Sequence, residues 1–159
     1  MTGMPGANWH TGLRRYLLVT VVGHFAWEVF QLPLYTLWQT GTPREIVVAV
    51  LHCTAGDIVI AMTSLALALA AIGSADWPSR RCGSVWVGSA TIGVVYAVYS
   101  EYMNTAVRYA WAYSDLMPIV PGLGTGVSPL LQWFVLPTAA LWYACRTGTA
   151  IKNRKAVAP

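Results

Sequence analysis

The chain has 159 residues, 56% of them hydrophobic and 10% charged, against about 25% charged residues in a typical soluble domain. The net charge of +4 follows from where the basic residues stand relative to the apolar blocks, so it calls for no nucleic-acid partner. Cys53, Cys82 and Cys145 stand singly, with no Cys-x-x-Cys pair, which argues against an enzyme that works through an exchangeable dithiol.

A helix of roughly 20 apolar residues crosses the 30 Å or so of bilayer hydrocarbon, and four such blocks predict spans over 16–38, 46–72, 85–107 and 127–145. Backbone groups in lipid must bond internally, so each block is expected to be helical, and the strand-like alternation of a β-barrel is absent. The expected fold is an all-α integral membrane protein, a four-transmembrane-helix bundle forming one domain over 1–159. Ahead of the first span, a Gly- and Pro-containing dozen residues reads as a mobile leader. The span itself is too long for a signal-peptide core, holds Glu28 and lacks a small-residue cleavage site, so it reads as a permanent helix. Pro33 is expected to kink it, and Pro137 to kink the fourth span. Ser128-Pro129 is a capping hydroxyl followed by proline at the first helical position. Between spans three and four, 108–126 reads as a lid-like loop on the membrane surface. Its Gly122, Gly124 and Gly126 follow no strand and make no nucleotide fingerprint. After the fourth span, 146–159 reads as a solvated basic tail.

Of the ten Lys and Arg residues, eight (Arg14, Arg15, Arg80, Arg81, Arg146, Lys152, Arg154 and Lys155) fall on one side of the predicted spans, leaving Arg44 and Arg108 on the other. The positive-inside rule then places both termini and the 73–84 connection in the cytoplasm and the 108–126 loop in the periplasm, as expected for a cell inner-membrane protein. Cys82 is accordingly expected to be reduced, with Cys53 and Cys145 as small packing residues.

Ionisable side chains inside hydrocarbon cost about 3 kcal/mol or more and by default mark function. His24, Glu28, Gln31 and Tyr35 share one face of the first helix, at offsets of 0, 4, 7 and 11, and must look inward. His52 and Asp57 on the second helix lie about 140° apart, too far for both to point straight into one pocket. Glu101, Asn104 and Arg108 share a face of the third. Counting 1.5 Å per residue from matched span ends puts His24 at about 12 Å above the cytoplasmic edge, Glu28 at 18 Å, Asp57 at 22 Å, Glu101 at 25 Å and His52 at 30 Å.

These positions nominate Glu28, Glu101, Asp57 and His52 as candidate acid/base residues, with His24, Gln31, Trp27, Tyr96 and Asn104 as substrate contacts. A divalent cation, if bound, would draw on His52, Asp57 and Glu101; no cofactor is indicated. Interhelical hydrogen bonding is the simpler role for Ser64, Ser128 and Gln132, and equally for Gln31 and Asn104, which are also placed to touch a substrate. Trp9, Tyr16, Trp38, Trp77, Tyr109, Trp111 and Tyr113 fall near span ends and read as an interfacial aromatic belt. Beyond the lipid bilayer, the expected partner is an apolar or lipid-like small molecule transformed by acid/base chemistry. The alternatives are an oligomeric proton-coupled or metal-ion transporter and a non-catalytic subunit of a membrane complex.

Overall fold

The computed structural model describes residues 5–156, with side chains described over 9–146. Its order is α1 (Pro5–Gln31), a 3-10 turn (Leu32–Leu34), a short α2 (Leu37–Thr40), α3 (Pro43–Ile72), α4 (Cys82–Tyr102) with a π-helical turn (Met103–Val107), and α5 (Val127–Ala156). Among the described residues there are no strands, only two isolated antiparallel bridges. α1 packs on α3 and α5, and α4 packs on the same two. Three stretches are long and apolar enough to cross a membrane: Trp9–Leu34, Pro43–Ile72 and Cys82–Val107. α5 is not among them; Gln132, Pro129, Pro137 and its tryptophans dilute its apolar character. The protein is therefore a helical membrane protein.

Local sequence explains the helix ends. At the start of α3 the Glu45 amide donates to the Thr42 hydroxyl at 3.3 Å while the Thr42 amide donates to Glu45 Oε2 at 2.8 Å. This is a reciprocal capping box with Pro43 in the first turn. At Pro33 the expected kink is instead a stop: α1 ends at Gln31 and Pro33 lies in the 3-10 turn, because proline supplies no donor to continue the ladder. Of the dozen residues read as a mobile leader, those from Pro5 onward belong to α1, and residues 1–4 lie outside the described residues. At the other end α5 continues through Ala156, so the 146–159 tail is helical over its described part.

The end of the assembly where the 73–81 connection lies is closed by a dense core. Tyr16 and Trp77 are both 0% exposed and pack with Leu65, Val85, Ala140 and Leu141. The two aromatics expected at the interface are thus interior residues. The Trp9 indole meets Trp77 edge-on at 4.9 Å and donates to Ala75 O at 2.9 Å. Trp38 and Tyr109 remain exposed, as a belt requires. The same packing brings the start of α4 against α5, and Cys82 and Cys145 form a disulfide across a Cα–Cα distance of 6.4 Å. This corrects the expectation of a reduced Cys82 and a merely packing Cys145: a sequence separation of 63 conceals the pairing.

Trp9 standing level with Ala75 also corrects the depth scale. Matching Tyr16 with Ile72 left out about seven residues of α1, close to 10 Å of height at 1.5 Å per residue. His24 therefore rises to the level of Asp57.

Candidate functional site

On α1, the inward face places His24, Glu28 and Gln31 at 1%, 9% and 6% exposure. Gln31 Nε2 donates to Glu28 Oε1 at 2.7 Å, and Gln31 Oε1 accepts from the Ser128 hydroxyl at 2.9 Å, which in turn accepts from the Trp27 indole at 3.1 Å. Gln132 of α5 closes the network. Its Nε2 lies 3.0 Å from Glu28 Oε1, 2.8 Å from Asp57 Oδ2 and 3.0 Å from His24 Nδ1. An amide nitrogen carries two hydrogens, so two of these three neighbours accept from it. His24 Nδ1 is itself 3.1 Å from Asp57 Oδ2, and the hydrogen count closes when Nδ1–H donates to Asp57 while Gln132 serves both carboxylates. Glu28 Oε1 and Asp57 Oδ2 then each accept two N–H groups. Trp133 packs against His24 with its ring tilted by 54° at a centroid distance of 5.2 Å. Its ring fills the space in which a Cβ at Gly93 would sit, so only glycine lets α4 approach that closely.

Glu101 of α4 is 7% exposed and is served from the 108–126 loop. The Tyr113 hydroxyl and the Trp111 indole both donate to Glu101 Oε2, and the Gly126 amide donates to the Tyr113 oxygen. Burial, and the hydrogen bond to Glu101, hold the Tyr113 phenol well above its ordinary pKa, so it keeps the proton it gives to Glu101. The loop is strapped to the turn that follows α1. Thr36 N–H donates to Ala112 O and Ser114 N–H to Leu34 O, both at 3.0 Å, and the Ser114 hydroxyl reaches Pro33 O at 2.9 Å. Pro33 thus turns α1 into the anchor of the loop. Gly122 and Gly124 take positive φ values of 82° and 67° at its tip, where a side chain would be strained.

Between these two centres lies a cavity of about 360 Å³ lined by Glu28, Gln31, His52, Asp57, Tyr96, Glu101, Asn104, Arg108, Trp111, Gln132 and Trp133, among others. All four candidate acid/base residues border it, although His52 and Asp57 sit about 140° apart on α3; the cavity is wide enough to take in both, with His52 on the exposed rim. Of the candidate substrate contacts, Gln31, Tyr96 and Asn104 line it, whereas His24 stands behind Asp57 and Trp27 binds Ser128 outside it. Although His52, Asp57 and Glu101 share its wall, no group of three or more His, Cys, Asp or Glu among the described residues is gathered closely enough to hold a metal ion.

Sequence reasoning missed three contributors. Gln132 read as helix glue and is the hub of the network; Trp111 and Tyr113 read as interfacial and instead hold Glu101. Only the repeated polar residues of α5 hinted at the first, and nothing local signals which loop aromatic will reach back ten or twelve residues. No known protein family, no curated protein and no solved structure matches the chain.

Proposed function

We propose that this protein is a four-helix transmembrane bundle, with both termini in the cytoplasm of an inner membrane, whose cavity binds a lipid-like small molecule and moves a proton on it. The observation that carries the reading is a single cavity walled by Glu28, Asp57 and Glu101, each held in place by hydrogen-bond donors from other residues. Oriented carboxyl groups on opposite walls suit a reaction in which one wall donates a proton and the other accepts one, with no net redox change. Gln31, Gln132 and His24 position the Glu28 and Asp57 pair; Tyr113 and Trp111 position Glu101. Apolar and aromatic walls, Ile60, Ala97, Tyr96 and Trp133 among them, match the hydrocarbon part of such a molecule.

Glu28→Gln tests the reading. The amide keeps the acceptor that Gln31 and Gln132 use, so the variant is expected to fold as the native protein does. Mass spectrometry of molecules copurifying from native membranes should show the variant retaining an unconverted molecule that the wild type releases in altered form. Identical copurifying molecules in both would make Glu28 structural and remove the centre of the site.

Orientation has its own test. Reporter fusions after Gly73 and at the C-terminus are expected to report cytoplasm, and fusions after Thr42 and Gly122 periplasm. The Cys82–Cys145 disulfide lies at the basic end, and disulfides persist in oxidising compartments, so it pulls against this orientation. Alkylation of cysteines in intact cells, read beside the fusions, decides between them: a bonded pair together with a periplasmic C-terminus would invert the topology.

A further inference from the structure

Arg108 differs from every other charged group around the cavity. It is exposed and lines the same space as three carboxylates, yet no salt bridge among the described residues involves it. The carboxylates are occupied by Gln31, Gln132, His24, Tyr113 and Trp111, so Arg108 borders the cavity with its guanidinium donors uncommitted to them. It also follows directly on the span that ends at Val107, which is the height of lipid headgroups at the edge of the hydrocarbon. Arginine is the side chain best shaped to take a phosphate through paired N–H donors.

A second observation concerns access. His52 and Gly56 of α3 and Tyr96 of α4 line the cavity and are exposed at the outer surface as well. The cavity therefore reaches the outside along the seam between α3 and α4. Gly56 lies near the middle of the 30-residue α3, and a Cβ there would meet nothing within 4 Å. Below it Ala61, Ala97 and Trp133 pack together and close the seam. The opening thus faces lipid at hydrocarbon depth. A cavity of about 360 Å³ lies near the small end of ligand pockets, a size suited to a headgroup, with the long chains of an amphiphile leaving through that opening.

We propose that the cavity takes the phosphate-bearing headgroup of a membrane amphiphile, with the phosphate on Arg108, His52 beside it at the rim, and the hydrocarbon chain leaving between α3 and α4 past Gly56 and Tyr96. This rests on the lipid-like reading of the cavity and names the anionic group which that reading leaves open.

The full-length protein in a non-ionic detergent can be titrated by native mass spectrometry with short-chain phosphatidic acid, with a diacylglycerol of the same chains, and with inorganic phosphate. Phosphatidic acid is expected to bind one-to-one, and the diacylglycerol about tenfold more weakly or worse, the effect of losing one charge-assisted hydrogen bond. Inorganic phosphate should not bind detectably. Arg108→Gln should bring phosphatidic acid down to the diacylglycerol level while Arg108→Lys retains part of the difference, and Gly56→Leu should weaken both amphiphiles. The exposed position of Arg108 lets circular dichroism and elution volume confirm that each variant folds. Equal binding of both amphiphiles to wild type and Arg108→Gln overturns the phosphate assignment and leaves the lipid-like site standing. Inorganic phosphate binding as tightly as phosphatidic acid overturns the amphiphile in favour of a free anion. Failure of both amphiphiles to bind overturns this inference and the reading beneath it together.

Discussion

Gln132→Leu is expected to destabilise the protein by about 3 kcal/mol, because two carboxylates lose a buried donor at once and hydrogen bonds to charged groups are worth about 1.5–3 kcal/mol each. Pairwise interhelical bonds in membranes average well below that. Gln132, however, is 2% exposed and bonds to acids on two other helices, so leucine leaves both facing an apolar group. For a chain of this size the loss corresponds to a fall in Tm of roughly 6–12 °C, measured by thermal unfolding in detergent. Combining it with Glu28→Gln should cost about 1 kcal/mol less than the two changes summed, since the second removes the charge that the first leaves unserved. Strict additivity would show that Gln132 and Glu28 are neighbours without being coupled.

Tyr113→Phe is expected to free the 108–126 loop. The hydroxyl is at once the donor to Glu101 and the acceptor for the Gly126 amide, so its removal undoes both ends of one hydrogen-bonded chain. A loss of about 2 kcal/mol in the local opening equilibrium raises amide exchange about 30-fold. The effect should appear at Ser114 and Thr36, whose amides bond across the strap, and at Gly126, while the amides of α3 stay as they are. Unchanged exchange at these sites would mean that the backbone bonds at Leu34 and Ala112 hold the loop without the phenol.

The residues that the sequence made readable are those whose signal is periodic. Apolar length placed α3 and α4 to within a few residues, and the offsets of His24, Glu28 and Gln31 correctly put them on one inward face of α1. Relations between helices stayed hidden because they depend on relative height and on connections. Trp9 bonding to Ala75, rather than Tyr16 marking the lower edge, shifted α1 and made His24 a partner of Asp57. Cys82 and Cys145 met for the same reason, and Trp77 became interior because the connection folds back under the helices. Polar residues read one at a time also look alike. Gln132 and Ser64 both stand in apolar stretches of sequence, yet only Gln132 meets two acids.

The wiring of the network also sets a timetable. Glu28 and Gln132 are 104 residues apart, and Asp57 and Gln132 are 75. At ribosomal speeds of about 5–20 residues per second, Glu28 waits roughly 5–20 s, and Asp57 somewhat less, before the amide that satisfies both has been made. Through that interval α1 and α3 carry incompletely served acids, and the only partner yet synthesised for Asp57 in this network is His24. The His24–Asp57 bond is then an early clasp between the first two long helices, and the arrival of α5 is the event that converts a provisional pairing into the finished site.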